Sequence, residues 1–155
     1  MGLRRTGGYA VSWTEEGEMS QGPLVAIVDD DKSIREATRN LLEAAGFNTV
    51  TFSDAESFLT SAGRDDASCV VADLRMPRMT GLEMVEELLA SGAGIPAVLI
   101  SAYLEDSVIA RAHDAGIVCC LSKPFAPEQL LECVQEALAK AQSRDAGKPQ
   151  SAGPK

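Results

Sequence analysis

The chain predicts an α/β fold: a doubly wound, five-stranded parallel sheet in strand order 2-1-3-4-5, flanked by five helices. Three observations lead there. Short continuous apolar runs recur along the chain, as in strands covered on both faces. Each run is followed by a stretch whose apolar residues fall at helical spacing. The connections are short, and right-handed crossovers then leave few ways to arrange alternating strands and helices.

Taken in order, residues 24–28 (LVAIV) are the first run. Ile34, Ala37, Thr38, Leu41, Leu42 and Ala45 follow at helical spacing, and Gly46 supplies a stop. A second strand is expected over 47–52. Ser53 and Glu56 form a capping-box pattern that opens a short helix with Phe58 and Leu59 inward. The third strand covers 68–72. Thr80 and Glu83 repeat the capping-box pattern, with Leu82, Val85, Leu88 and Leu89 as the buried stripe. Residues 96–100 give a fourth strand, followed by a helix from about 105 to 115 and a second stop at Gly116. The fifth strand covers 117–121. The last helix begins near Pro127, with Leu130, Leu131, Val134, Ala137, Leu138 and Ala141 in phase.

Outside this region, residues 1–22 show no periodicity and are expected to be a flexible N-terminal arm, with Met19 a natural start and 1–18 an upstream extension. The match of Gly2 and Thr6 to a myristoylation pattern is short enough to arise by chance. Residues 143–155 are expected to be a flexible tail or a shortened linker. The structured region, 23–142, is one domain.

The bulk numbers exclude several classes. At 155 residues, 45% apolar and 24% charged, the chain is long and apolar enough to bury a core. A net charge of −9 disfavours direct binding to nucleic acid. No run reaches the ~18 apolar residues of a membrane helix, and the start lacks a signal peptide's apolar region. A cytoplasmic location without membrane association is expected. Cys69, Cys119, Cys120 and Cys133 form no C-x-x-C pair, and His113 is the only histidine, so reduced core thiols are expected rather than a zinc site. His113 itself is expected on a helix surface.

In a doubly wound sheet, ligands bind beyond the carboxyl ends of the strands near the switch point. The first strand ends in Asp29-Asp30-Asp31, the third in Asp73, the fourth in Ser101, and the fifth leads to Lys123-Pro124. The fold thus delivers carboxylates, a hydroxyl and an ammonium to one edge. Clustered carboxylates repel one another unless a counter-ion joins them. Mg²⁺ is the best fit: it accepts one or two carboxylates, keeps several waters and bridges to phosphate. An aspartate beside it can act as nucleophile toward a phosphoryl donor, with a lysine and a hydroxyl stabilising charge on the transferring group. Asp31 has a different expected task, as cap of the first helix.

IVDDD, VADLRMPRMTG, LISA and LSKPF, in that order and spacing, resemble the receiver domain of two-component response regulators, which has a flavodoxin-like fold. The loop wording is most similar to the nitrogen-fixation regulator type, and the likeness covers about 23–142. The resemblance implies that Asp73 is the phosphoacceptor. It implies that Asp29 and Asp30 hold Mg²⁺ with Asp73 and the backbone carbonyl of Arg75. Lys123 would pair with the phosphoryl oxygens, Ser101 would donate its hydroxyl to them, and the Lys123–Pro124 bond would be cis. The phosphoryl group would come from a sensor histidine kinase. The output would be a changed protein-binding surface read by a downstream effector or output domain, with homodimerisation on phosphorylation as one form of it. Such a receiver catalyses only its own phosphorylation and dephosphorylation.

One position departs from the family. Where members usually carry Tyr or Phe, three residues before the lysine, this chain has Cys120. A thiol cannot sweep a ring between exposed and buried sites, so the switch is expected to run through Ser101 and Tyr103. Arg75 and Tyr103 flank the pocket as bulky groups expected to limit water entry. No helix-turn-helix follows residue 142, leaving a stand-alone regulator and a piece of a longer protein equally open. A phosphorylation-independent interaction module would accommodate Cys120 but leaves every charged site residue unexplained. An aspartate-nucleophile phosphatase would need an acid two residues after Asp73, where Arg75 stands.

Overall fold

A computed structural model describes residues 3–6, 9–13, 19–21, 23–62 and 64–147, with side chains from 23 to 141 except residue 63. In chain order the elements are β1 (Leu3–Thr6), β2 (Tyr9–Trp13), β3 (Met19–Gln21), β4 (Leu24–Val28), α1 (Lys32–Ala44), β5 (Asn48–Phe52) and α2 (Ala55–Leu59). A 3₁₀ turn (Arg64–Asp66) then leads to β6 (Cys69–Asp73), α3 (Gly81–Ala90), β7 (Ala97–Ser101), α4 (Asp106–Asp114), β8 (Ile117–Ser122) and α5 (Pro127–Gly147). The main sheet is parallel, in the order β5-β4-β6-β7-β8, which is the 2-1-3-4-5 arrangement expected.

Alternation along the strands divides the core into two layers. Ala26, Val28, Val70, Ala72 and Leu99 face α2, α3 and α4, where Phe58, Leu82 and Val85 meet them. Val25, Ile27, Val71, Val98 and Ile100 face α1 and α5, against Leu42, Leu130 and Val134. The central strands β4 and β7 are buried along their whole length, as expected for a parallel sheet covered on both sides.

Helix ends follow local chemistry. The capping box at Thr80 and Glu83 forms in both directions: Thr80 Oγ1 accepts from the Glu83 amide at 3.0 Å, and Glu83 Oε1 from the Thr80 amide at 2.9 Å. Gly46 and Gly116 end α1 and α4 with φ of +98° and +84°, a region that Cβ-bearing residues avoid.

Several expectations need correction. In place of the box expected at Ser53 and Glu56, the cap falls one residue later, with Asp54 accepting from the Ser57 amide at 2.7 Å. The carboxylate gains more than a hydroxyl from the helix N-terminus, and Arg78 pairs with it at 3.3 Å. Starting at Ala55 also sets Ala55 and Phe58 into the core, where Phe58 meets Phe52 edge-on at 5.2 Å. Leu89 is exposed rather than part of the α3 stripe, and Ile34 is exposed on α1. The last helix continues past 142 to Gly147, since 143–146 contain no helix-breaking residue; 148–155 lie outside the described residues.

Most informative is the N-terminus. Where no periodicity is visible over 1–22, β1, β2 and β3 form an antiparallel sheet, with Thr6 paired to Tyr9 and Trp13 to Met19. The runs LRRT and MSQ are too short and too polar to register on their own. The backbone of β2 lies beside the edge strand β5. Gly2, and with it the myristoylation pattern, lies outside the described residues.

Among the described residues no helix is long and apolar enough to cross a membrane. All four cysteines are free, on β6, β8 and α5. His113 is on the surface of α4. On the outside of the molecule, Arg111 on α4 grips Glu86 on α3 through two hydrogen bonds, 2.8 and 3.3 Å.

Gly81, at the start of α3, donates its amide to the Leu74 carbonyl at 3.0 Å, and a Cβ there would sit 2.5 Å from the Asp73 carbonyl oxygen. Gly81→Ala is therefore expected to force the 73–81 loop open at a cost of about 1–3 kcal/mol, seen as a lower denaturant midpoint; an unchanged midpoint would show that the loop yields freely. Burial pushes the Cys69 thiol up to about 12, so alkylation near pH ~8 should spare it in the folded chain and label it only after unfolding, as read by peptide mass.

Candidate functional site: an acidic triad with a lysine at the strand ends

Pairing of β4 with β6 in parallel register brings the ends of the two strands together. Asp29 follows β4 directly, and its amide donates to the Phe52 carbonyl at 3.1 Å, extending the β4–β5 ladder by one step. Its side chain is only 6% exposed, and Oδ1 accepts from the Asp31 amide at 2.9 Å. Asp30 is exposed at the lip. Asp73 is the last residue of β6. One carboxylate oxygen from each of Asp29, Asp30 and Asp73 lies within 4.8 Å of the others.

Asp31 is not in this group. Its Oδ1 accepts from the Ile34 amide at 3.1 Å and caps α1, as expected.

Lys123 follows β8, and its Nζ stands 3.5 Å from Asp73 Oδ1. Its amide donates to the Ser101 carbonyl at 2.8 Å, which ties the lysine to the end of β7. The Lys123–Pro124 bond is cis. The Arg75 amide donates to the Asp73 carboxylate, while the Arg75 side chain is exposed.

The electrostatics follow from this crowding. The Asp73 carboxyl is raised above its ordinary value, chiefly by burial and further by Asp30, against the opposing pull of Lys123 and the Arg75 amide. Asp29 is also raised, first by burial, with Asp73 and Asp30 adding to it and the Asp31 amide and Lys123 working against it. One ammonium does not neutralise the group. The donor set is all oxygen, with no histidine or thiol in it, and suits a hard divalent cation such as Mg²⁺.

Ser101 is fully buried at the end of β7. Its hydroxyl is engaged in its own loop, donating to the Tyr103 carbonyl at 2.9 Å and accepting from the Tyr103 amide at 3.3 Å. Tyr103 is 61% exposed. Cys120 is half-buried on the α4 side of the sheet, packed against the same core layer as Leu104 and Val108, and burial raises its thiol. Met76 is buried and Met79 packs on the same core layer, so both shape the loop after β6. A groove of about 360 Å³ lined by Leu89, Ile95 and Lys140 lies away from the acids, near the start of β7 and the end of α4.

Three contributors escaped the sequence. Gly81 has a turn-like context, but its approach to the Asp73 backbone depends on how α3 meets β6. Arg78 takes φ +70° in the loop after Asp73, and its partner Asp54 is distant in sequence. Arg35, in the first turns of α1, donates through Nη1 to the Asp29 carbonyl at 2.7 Å.

Comparison with known proteins agrees with this geometry. The sequence model of the response regulator receiver domain matches residues 25–135. Response regulator protein TmoT of Ectopseudomonas mendocina is 34% identical over 130 residues, covering 84% of this chain and 59% of that protein. The chain thus spans about three fifths of that relative. The solved structure of response regulator StyR superposes with a TM-score of 0.74 at 42% identity, covering 80% of this chain and 63% of that one. The structure of FixJ-N gives 0.69 at 31%, covering 77% and 96%. These identities do not set a nitrogen-fixation type apart from the others. The chain belongs to the response regulator receiver domain family of two-component signal transduction.

Proposed function

We propose that the chain accepts a phosphoryl group on Asp73 and converts it into a changed protein-binding surface. One observation carries this: the Asp73 carboxylate has Lys123 Nζ 3.5 Å away and oxygens of two further carboxylates within 4.8 Å. Asp29, Asp30, Asp73 and the carbonyl of Arg75 would hold Mg²⁺, which when bound supplies positive charge against the carboxylates and the incoming phosphoryl oxygens. An Asp73 oxygen attacks phosphorus in line as the bond to the donor's leaving group breaks. Lys123 holds the negative charge that gathers on the transferred group. The Ser101 hydroxyl, released from the Tyr103 carbonyl, turns to donate to a phosphoryl oxygen and draws the β7–α4 loop with it.

The donor is a phosphohistidine of a sensor kinase. The reader of the switched surface is an effector protein or an output domain outside this chain, since the net charge of −9 gives the chain itself no general affinity for nucleic acid.

Intact mass after incubation with acetyl phosphate and Mg²⁺ tests the proposal. One phosphoryl group is expected, absent in Asp73→Asn and absent in chelator. No adduct on the wild type, together with no binding of beryllofluoride, would leave a phosphorylation-independent interaction module in its place.

Carboxyl groups raised in the fold also predict a pH dependence. A raised Asp binds protons more readily folded than unfolded, so its contribution to stability falls as pH rises through the raised folded value. In metal-free buffer Asp29→Asn should therefore melt a few degrees above wild type at neutral pH. The gap should close as pH drops toward the ordinary carboxyl value of 3.8. Saturating Mg²⁺ should narrow or invert it by stabilising the wild type. A gap independent of pH would show that Asp29 is not strained by its neighbours.

A further inference from the structure

We infer that Arg35 is a positioning residue of the acidic site: its guanidinium fixes the Asp29–Asp30 peptide, and through it the direction in which Asp30 presents its carboxylate. The inference rests on the divalent-cation reading of the triad. Asp29 sits where β4 ends. Its amide still belongs to the sheet, through Phe52, but its carbonyl is met by Arg35 Nη1 at 2.7 Å. That is a short, charge-assisted hydrogen bond. The carbonyl belongs to the peptide unit linking Asp29 to Asp30, so holding it sets the backbone from which the Asp30 side chain departs. Asp29 has burial and the Asp31 amide to orient its carboxylate. Asp30 is exposed, and packing gives it no comparable restraint.

Arg35 is itself well placed to do this. It is half-buried, and its amide donates to the Asp31 carbonyl at 2.8 Å in the first turn of α1. Asp31 caps that turn. Strand end and helix start are thereby cross-braced, by the Asp31 amide to the Asp29 carboxylate and by Arg35 to the Asp29 carbonyl. Arginine suits the position because its charge is permanent and its fork is stiff. Its contact is with the carbonyl, not the carboxylate, so it braces the acids without neutralising them.

Outer partners that orient metal ligands are typically worth about 10–100-fold in metal affinity. Titrating Mg²⁺ by calorimetry into wild type, Arg35→Ala, Arg35→Lys and Asp31→Ala separates positioning from general loosening. Arg35→Ala is expected to bind roughly 10-fold more weakly or worse, and Arg35→Lys to recover part of the loss. Asp31→Ala, which loses the cap but keeps the Arg35 bond, is expected to lower the melting temperature with a smaller effect on affinity. An Arg35→Ala affinity within about twofold of wild type, or an equal loss in Asp31→Ala, would overturn the inference alone. A wild type that binds no Mg²⁺ would overturn the metal reading and this inference with it.

Discussion

Asp29, Asp30 and Asp73 are crowded by the sheet itself. β4 and β6 are parallel neighbours, so their carboxyl ends coincide, and each ends in acid. Burial raises the proton affinity of Asp29 and Asp73, and like charges at separations under 5 Å add to it. Neighbouring groups relieve this only in part. Lys123 stands 3.5 Å from Asp73, the amides of Asp31 and Arg75 donate to the Asp29 and Asp73 carboxylates, and Arg35 holds the Asp29 carbonyl. The core beneath, two apolar layers on a sheet whose strands β4 and β7 are buried throughout, makes such an arrangement rigid enough to persist.

The loops serve the same geometry. Gly81 lets α3 start against the backbone of Asp73, where any side chain would collide. The Ser101 carbonyl receives the Lys123 amide while the Ser101 hydroxyl is occupied by Tyr103. The same residue is thus joined to the lysine through its backbone and to the β7–α4 loop through its side chain. Any change in one hydroxyl bond is felt in a loop whose aromatic residue already faces solvent.

Much of this was legible because parallel sheets write themselves plainly: LVAIV, CVVAD and AVLIS are apolar runs whose last positions fall at one edge. Asp29, Asp30, Asp73 and Lys123 could be placed together from that alone. What stayed hidden depended on contacts between distant parts of the chain. Arg78 with Asp54 and Arg35 with the Asp29 carbonyl leave no local pattern. The cap at Asp54 was missed by one residue because Ser53 and Asp54 are both good caps, and the choice is made by which start buries Phe58. The N-terminal strands were missed because LRRT and MSQ carry almost no apolar alternation.

Helix α4 is lightly anchored to the main domain. Only Ala112 is fully buried, Glu105 makes no side-chain cap, and Ile109 faces water. Its grip on α3 is the exposed Arg111–Glu86 pair. Exposed ion pairs are screened by dissolved salt, with a Debye length of about 8 Å at physiological ionic strength. The hold on α4 is therefore partly set by the solvent: dilute buffer tightens the clasp and concentrated electrolyte slackens it. The helix thus has a stiffness that depends on the ionic medium as well as on the chain.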